Sequence, residues 1–138
     1  MNFIHRLLFI VSFSLLSFCV QATHIVGGYL SYEYIGGTQY RITLKVYRDC
    51  TSQTDFDGAP GSQVSQATVG LFEVTSSGGY VLENTFGLFN PVVTNLTNAV
   101  ANPCLVVPSG VCVEQGVYTD VINVGDLNKR YVLVYERC

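Results

Sequence analysis

The chain has 138 residues and a formal charge of −3, with no Trp and only 12% charged residues. That is the length of one domain with room for an ordinary core. A mildly acidic chain lacks the basic stripe that nucleic acid requires, and has little to offer an anionic membrane surface, so both are excluded as partners. Val, Tyr, Thr, Gly and Asn, the residues of strands and turns, outweigh the strong helix formers.

In chain order, Met1 to Arg6 carries the charge of an n-region and Leu7 to Val20 is an apolar h-region. Val20-Gln21-Ala22 places small residues at a cleavage site. This is the layout of a secretory signal peptide, shorter than the roughly 20 apolar residues that span a bilayer. A lipid anchor at Cys19 is the alternative, and the bulky Phe18 before it argues against that. Residues 1–22 are therefore expected to be removed, leaving 23–138 as one exported module, secreted or on the outer cell surface, with no membrane insertion.

Next, Tyr29 to Ile35 reads as a strand, Gly36-Gly37 as a tight hairpin turn, and Thr38 to Asp49 as its partner. In the partner, Tyr40, Ile42, Leu44 and Val46 share the apolar face, and Gln39, Arg41, Thr43 and Lys45 the wet one. Cys50 to Gln66 is rich in turn formers and predicts a long loop. Ala67 to Val74 and Tyr80 to Phe86 form a second hairpin across Thr75 to Gly79. Gly87 to Asn102 predicts a short strand within loop, and Val111 to Val124 a strand broken near Gly116. Arg130 to Cys138 is the last strand. Some seven short strands without helices predict an all-β fold, an antiparallel, immunoglobulin-like β-sandwich. The strand pattern runs to Cys138, so the module is expected to be the N-terminal part of a longer protein. The endings Val46-Tyr47-Arg48-Asp49-Cys50 and Val134-Tyr135-Glu136-Arg137-Cys138 are alike.

With Cys19 lost, Cys50, Cys104, Cys112 and Cys138 remain, an even number in an exported chain. Disulfides are expected, in one of three connectivities. The favoured pairing is Cys104 with Cys112 and Cys50 with Cys138; on the chain-entropy account these stabilise by about 2–3 and about 4–5 kcal/mol. A zinc site is the alternative, but no C-x-x-C pair exists and His24 is the one histidine outside the leader.

Ile25-Val26-Gly27-Gly28 is how many trypsin-like proteases begin. Cleavage after Ala22 would start the chain at Thr23, however, and His24 has no triad to join. One histidine likewise leaves a cysteine nucleophile without support. Asp55-Phe56-Asp57-Gly58 resembles the start of a calcium loop, but no acid follows at the expected distance. A polar loop with an Asx turn is the plainer expectation, with Asp55 and Asp57 a weak calcium candidate. Glu33, Asp49, Glu73, Glu83, Glu114 and Asp120 offer no spacing that pairs two carboxylates for glycoside hydrolysis, and read as solvated strand faces. Tyr29, Tyr32, Tyr34, Tyr40 and Tyr47 crowd the first hairpin, and each is expected to pack in the core more often than to face a ligand. Asn95-Leu96-Thr97 fits a glycosylation sequon, meaningful only in a eukaryotic secretory route. No catalytic residues and no cofactor are expected.

Six landmarks then follow in order: Ala22 to Gly28, Ile35-Gly36-Gly37 with Tyr40, Val46 to Cys50, Asn102-Pro103-Cys104 to Pro108, Val111-Cys112-Val113-Glu114, and Tyr135 to Cys138. Together they resemble the N-terminal module of large secreted Bacteroidetes-type surface proteins. Those are labelled gliding motility-associated or carry a type IX secretion sorting domain at the far C-terminus. The resemblance implies export across both membranes, surface display or release, further β modules downstream and no catalytic residues. The resulting expectation is a non-enzymatic module for adhesion or surface assembly, with surface proteins or glycans as partners. The alternative is a carbohydrate-binding module of an exported enzyme. Cys50 to Gln66, Asn90 to Asn102 and exposed hairpin tyrosines are the expected contact surfaces.

Overall fold

The computed structural model describes residues 25–52, 54–96 and 110–137. They form seven strands, β1 (Ile25–Gly36), β2 (Gln39–Asp49), β3 (Ala67–Val74), β4 (Tyr80–Leu88), β5 (Val92–Asn95), β6 (Val113–Asn123) and β7 (Tyr131–Tyr135). One sheet runs β1-β2-β6-β5 and the other β4-β3-β7, every pairing antiparallel. The fold is the expected all-β antiparallel sandwich.

Alternation builds its core. Ile42, Leu44 and Val46 on β2 are buried and face Val69 and Leu71 of β3, with Tyr118 and Ile122 of β6 closing the layer. Both predicted hairpins are present. In the first, β1 runs one residue further than expected and the turn falls on Gly37-Thr38. A register shift between Tyr34 and Gly36 takes up the extra residue, and Gly36 (φ 129°) and Gly37 (φ 56°) adopt the positive angles that such a bend needs.

Two expectations fail, for related reasons. The break expected at Gly116 does not exist: β6 is continuous and Gly116 is buried in it. Its missing side chain makes room for Phe56. An added Cβ would stand 2.8 Å from Phe56 Cδ1 and 2.9 Å from Cε1. The glycine is there for a neighbour distant in sequence, not to interrupt a strand.

The disulfide pairing is corrected as well. Cys50 bonds to Cys112, with Cα atoms 5.3 Å apart, so neither Cys104–Cys112 nor Cys50–Cys138 forms. The β2–β6 register dictates this. Asp49 lies opposite Val113, and one step on Cys50 N–H donates to the Cys112 carbonyl at 3.2 Å. The bridge therefore continues the ladder within one sheet and does not join the two sheets. Cys104 and Cys138 lie outside the described residues.

Two outcomes follow from this packing. Gly116→Ala should destabilise by about 1–3 kcal/mol through overpacking, and by clearly less in a Phe56→Ala background, as read by urea denaturation. Equal costs in both backgrounds would separate the glycine from Phe56. A non-reducing peptide map should recover Cys50 linked to Cys112, and replacing both by Ser should cost about 4 kcal/mol for a closed loop of this length. A Cys104–Cys112 peptide would refute the register.

Candidate functional site

The loop after Cys50 was expected to be an exposed binding surface; its middle is instead a plug between the sheets. Phe56 and Asp57 are buried, Asp57 with only 4% of its surface exposed. A carboxylate that deep must be paired and hydrogen-bonded. Tyr135 Oη of β7 donates to Asp57 Oδ2 at 3.0 Å, and Arg137 Nη2 stands 3.0 Å from Oδ1. Tyr118 Oη of β6 donates to the Asp57 carbonyl at 2.7 Å, so both sheets hold one residue.

Arginines complete the clasp. Arg137 Nη2 donates to the Asp55 carbonyl at 2.9 Å. Arg48 of β2 donates to the Thr54 carbonyl and stands 3.7 Å from Asp55 Oδ1. Its guanidinium lies 4.5 Å from the centroid of the Phe56 ring, and its Nε donates to Glu114 Oε2 at 2.9 Å. Gly58 takes a positive φ of 68° where a Cβ would meet the Leu88 carbonyl at 2.8 Å. The Asp-Phe-Asp-Gly stretch is thus fitted to an internal ion-pair network. Asp55 and Asp57, the calcium candidates, spend their charge on Arg48 and Arg137, and no group of three or more His, Cys, Asp or Glu converges among the described residues.

The other carboxylates have contacts of their own. Glu33 pairs with Arg41 at 2.7 Å, and Asp49 accepts from Thr51 N–H at 2.8 Å. Asp120 Oδ1 accepts from Val121 N–H at 2.8 Å. Glu73 lies 2.8 Å from Lys129 Nζ, with Glu83 close by, and the Glu73 hydrogen bond raises the lysine's pKa. Of the Asn90–Asn102 stretch, residues 90–96 are described, and Asn95 Nδ2 donates to Cys50 and Cys112 Sγ at 3.5 and 3.4 Å.

The tyrosines depart most from expectation. Tyr32 and Tyr34 share the inward-facing side of β1 with Leu30, yet are 71% and 57% exposed. β1 is an edge strand, and this corner reaches past the cover of the opposite sheet. Tyr40 sits between them with ring centroids 6.0 and 5.3 Å away. On the other face, exposed Tyr29 carries Lys45 Nζ at 5.3 Å from its centroid. Beside the corner a cleft of about 180 Å³ opens between the sheets, with Tyr32, Tyr40, Lys129, Tyr131 and Leu133 in its walls.

The fold defines the class, a seven-stranded antiparallel β-sandwich with an internal clasp and an aromatic corner. No family model matches the chain, and neither a curated protein nor a solved structure matches it.

The clasp carries a pH signature. Burial pushes the Tyr118 hydroxyl from 10.0 up to about 12, with the Asp57 charge adding to it. Tyr135 is raised further, by burial first and then by Asp57. A raised folded pKa gives stability that is complete below the unfolded value and is lost as pH rises through the folded one. Stability should therefore hold to about pH 10 and fall steadily above it. Urea titrations of the Tyr118→Phe, Tyr135→Phe double variant should show a shallower alkaline slope than the wild type; parallel slopes would remove these hydroxyls from the account.

Proposed function

We propose that this chain is a non-enzymatic β-sandwich module of a secreted or cell-surface bacterial protein, serving adhesion or surface assembly. In this reading residues 1–22 direct export and the folded module is displayed as in the Bacteroidetes-type surface proteins it resembles. The observation that carries it is the aromatic corner. Exposed large rings grouped on one strand are costly to leave in water and are typical of contact surfaces. Tyr32 and Tyr34 of β1 are such a pair, held at fixed spacing by the β1–β2 hairpin with half-buried Tyr40 of β2 against both rings. Surface proteins or glycans of the cell are the partners.

A carbohydrate-binding module is the second reading, favoured by the cleft beside Tyr32 and Tyr40. There aromatic walls meet Lys129 and the Tyr131 hydroxyl, an arrangement suited to stacking a sugar ring and hydrogen-bonding its edge. One experiment separates the two: the purified protein is tested on intact producing cells and on a glycan array, beside a Tyr32→Ala, Tyr34→Ala variant. Adhesion should drop at least about tenfold in the variant, the loss of a central aromatic hot spot. Undiminished adhesion would sink the aromatic corner, whereas a specific glycan signal lost with the two rings would favour the second reading.

A further inference from the structure

Sandwich edges carry unpaired backbone groups and are usually guarded by bulges, prolines, charges or short length. Three of the four edge strands formed by the described residues follow that rule. β1 has register shifts near both ends, β4 has a shift against β3 and carries Glu83, and β5 is four residues long behind Pro91. β7 departs from it. Its five residues, Tyr131-Val132-Leu133-Val134-Tyr135, include no glycine, proline or charge, and its ladder to β3 is regular. Among the described residues its other side has no strand neighbour. On its outer face Val132 and Val134 are 36% and 39% exposed.

The sequence of this edge is a palindrome centred on Leu133, bounded by exposed Arg130 on one side and exposed Glu136 on the other. We propose that β7 is a self-association edge, pairing antiparallel with β7 of a second copy about a two-fold axis through Leu133. In that register Leu133 meets Leu133, Tyr131 meets Tyr135, Val132 meets Val134, and Arg130 lies opposite Glu136, twice by symmetry. The backbone parity fits. Val74 N–H donates to the Arg130 carbonyl at 2.8 Å, which turns the even-numbered residues towards β3. Alternation then points the N–H and C=O groups of Tyr131, Leu133 and Tyr135 to the free edge, where a two-fold centred on Leu133 needs them.

Charge selects a second copy over an unrelated strand. A palindromic edge offers any partner its apolar residues, but an acid across from Arg130 and a base across from Glu136 at this spacing are what another β7 supplies. A like-charge pair, Lys129 opposite Arg137, also arises twice by symmetry. Each of those is already neutralised in its own chain, by Glu73 at 2.8 Å and by Asp57 at 3.0 Å. The interface is isologous and closes on itself, extending one three-stranded sheet to six strands with the guarded strand β4 at each end.

Sedimentation velocity of the purified protein over a wide concentration range tests this. The wild type should show a reversible monomer–dimer equilibrium. Arg130→Glu and Glu136→Arg each convert two facing opposite charges into two like pairs and should raise the dissociation constant about tenfold. The double variant restores opposite charges in reversed order and should return the dimer to near wild-type strength. A wild type that stays monomeric at every concentration would overturn the proposal. So would a dimer indifferent to the single reversals, or a double variant as weak as the singles, and circular dichroism on each variant confirms that all are folded.

Discussion

One buried carboxylate sets the conditions for the rest of this fold. Asp57 lies where a charge is tolerated only if it is paired and hydrogen-bonded, and its partners arrive from both sheets. Tyr118 of β6 donates to its backbone carbonyl, while its carboxylate is held by Tyr135 of β7 and by Arg137 just after β7. Asp57 Oδ1 has the Arg137 ion pair and no hydrogen bond; removing Tyr118, Tyr135 or Arg137 would strand a further buried polar group, so the loop, β6 and the end of β7 have to be in place together. The core leucines and isoleucines would fit many sandwiches; the clasp is satisfied by one arrangement of the two sheets.

That constraint explains features otherwise unconnected. Phe56 is carried into the interior by the residue that follows it, and β6 yields a side chain at Gly116 to admit the ring. Arg48 covers the ring from the β2 side and is itself fixed by Glu114. A few residues along the same two strands, the Cys50–Cys112 bond ties β2 to β6. The disulfide and the buried ion pairs thus gather at one end of the sandwich. At the other end, around Tyr32 and Tyr34, the ionic tie is the exposed Glu33–Arg41 pair, and the rings are left in water.

What could be read from the sequence was local. The two hairpins, the alternation of Tyr40 to Val46 and the placement of β3 and β4 depend on neighbours a few residues apart, and period-two patterning reports them. Gly116 looked like a strand breaker because the reason for it, Phe56, lies sixty residues away in the chain. The disulfide followed a β2–β6 register that loop entropy alone does not encode. The aromatic corner depended on how far one sheet extends past the other, a property of two strands that never pair. The likeness of Val46-Tyr47-Arg48 to Val134-Tyr135-Glu136-Arg137 was a usable signal. Both segments end in an arginine that grips the Asp-Phe-Asp stretch, and two basic strand ends around one acidic loop is a pairing that charge complementarity alone suggests.

The aromatic corner and the β7 edge are not independent surfaces. Leu133 lines the cleft beside Tyr32 and Tyr40, and it also lines a second cavity of about 320 Å³ that runs between β1 and β7 towards Tyr135 and Arg137. Tyr131, at the other end of the palindrome, is shared with the first cleft. The proposed pairing edge and the cleft therefore share Tyr131 and Leu133, whereas Arg130 and Glu136 line neither cavity. The clasp at Asp57 holds the far end of the same strand through Tyr135 and Arg137, so one strand carries an internal anchor at one end and a cleft wall at the other.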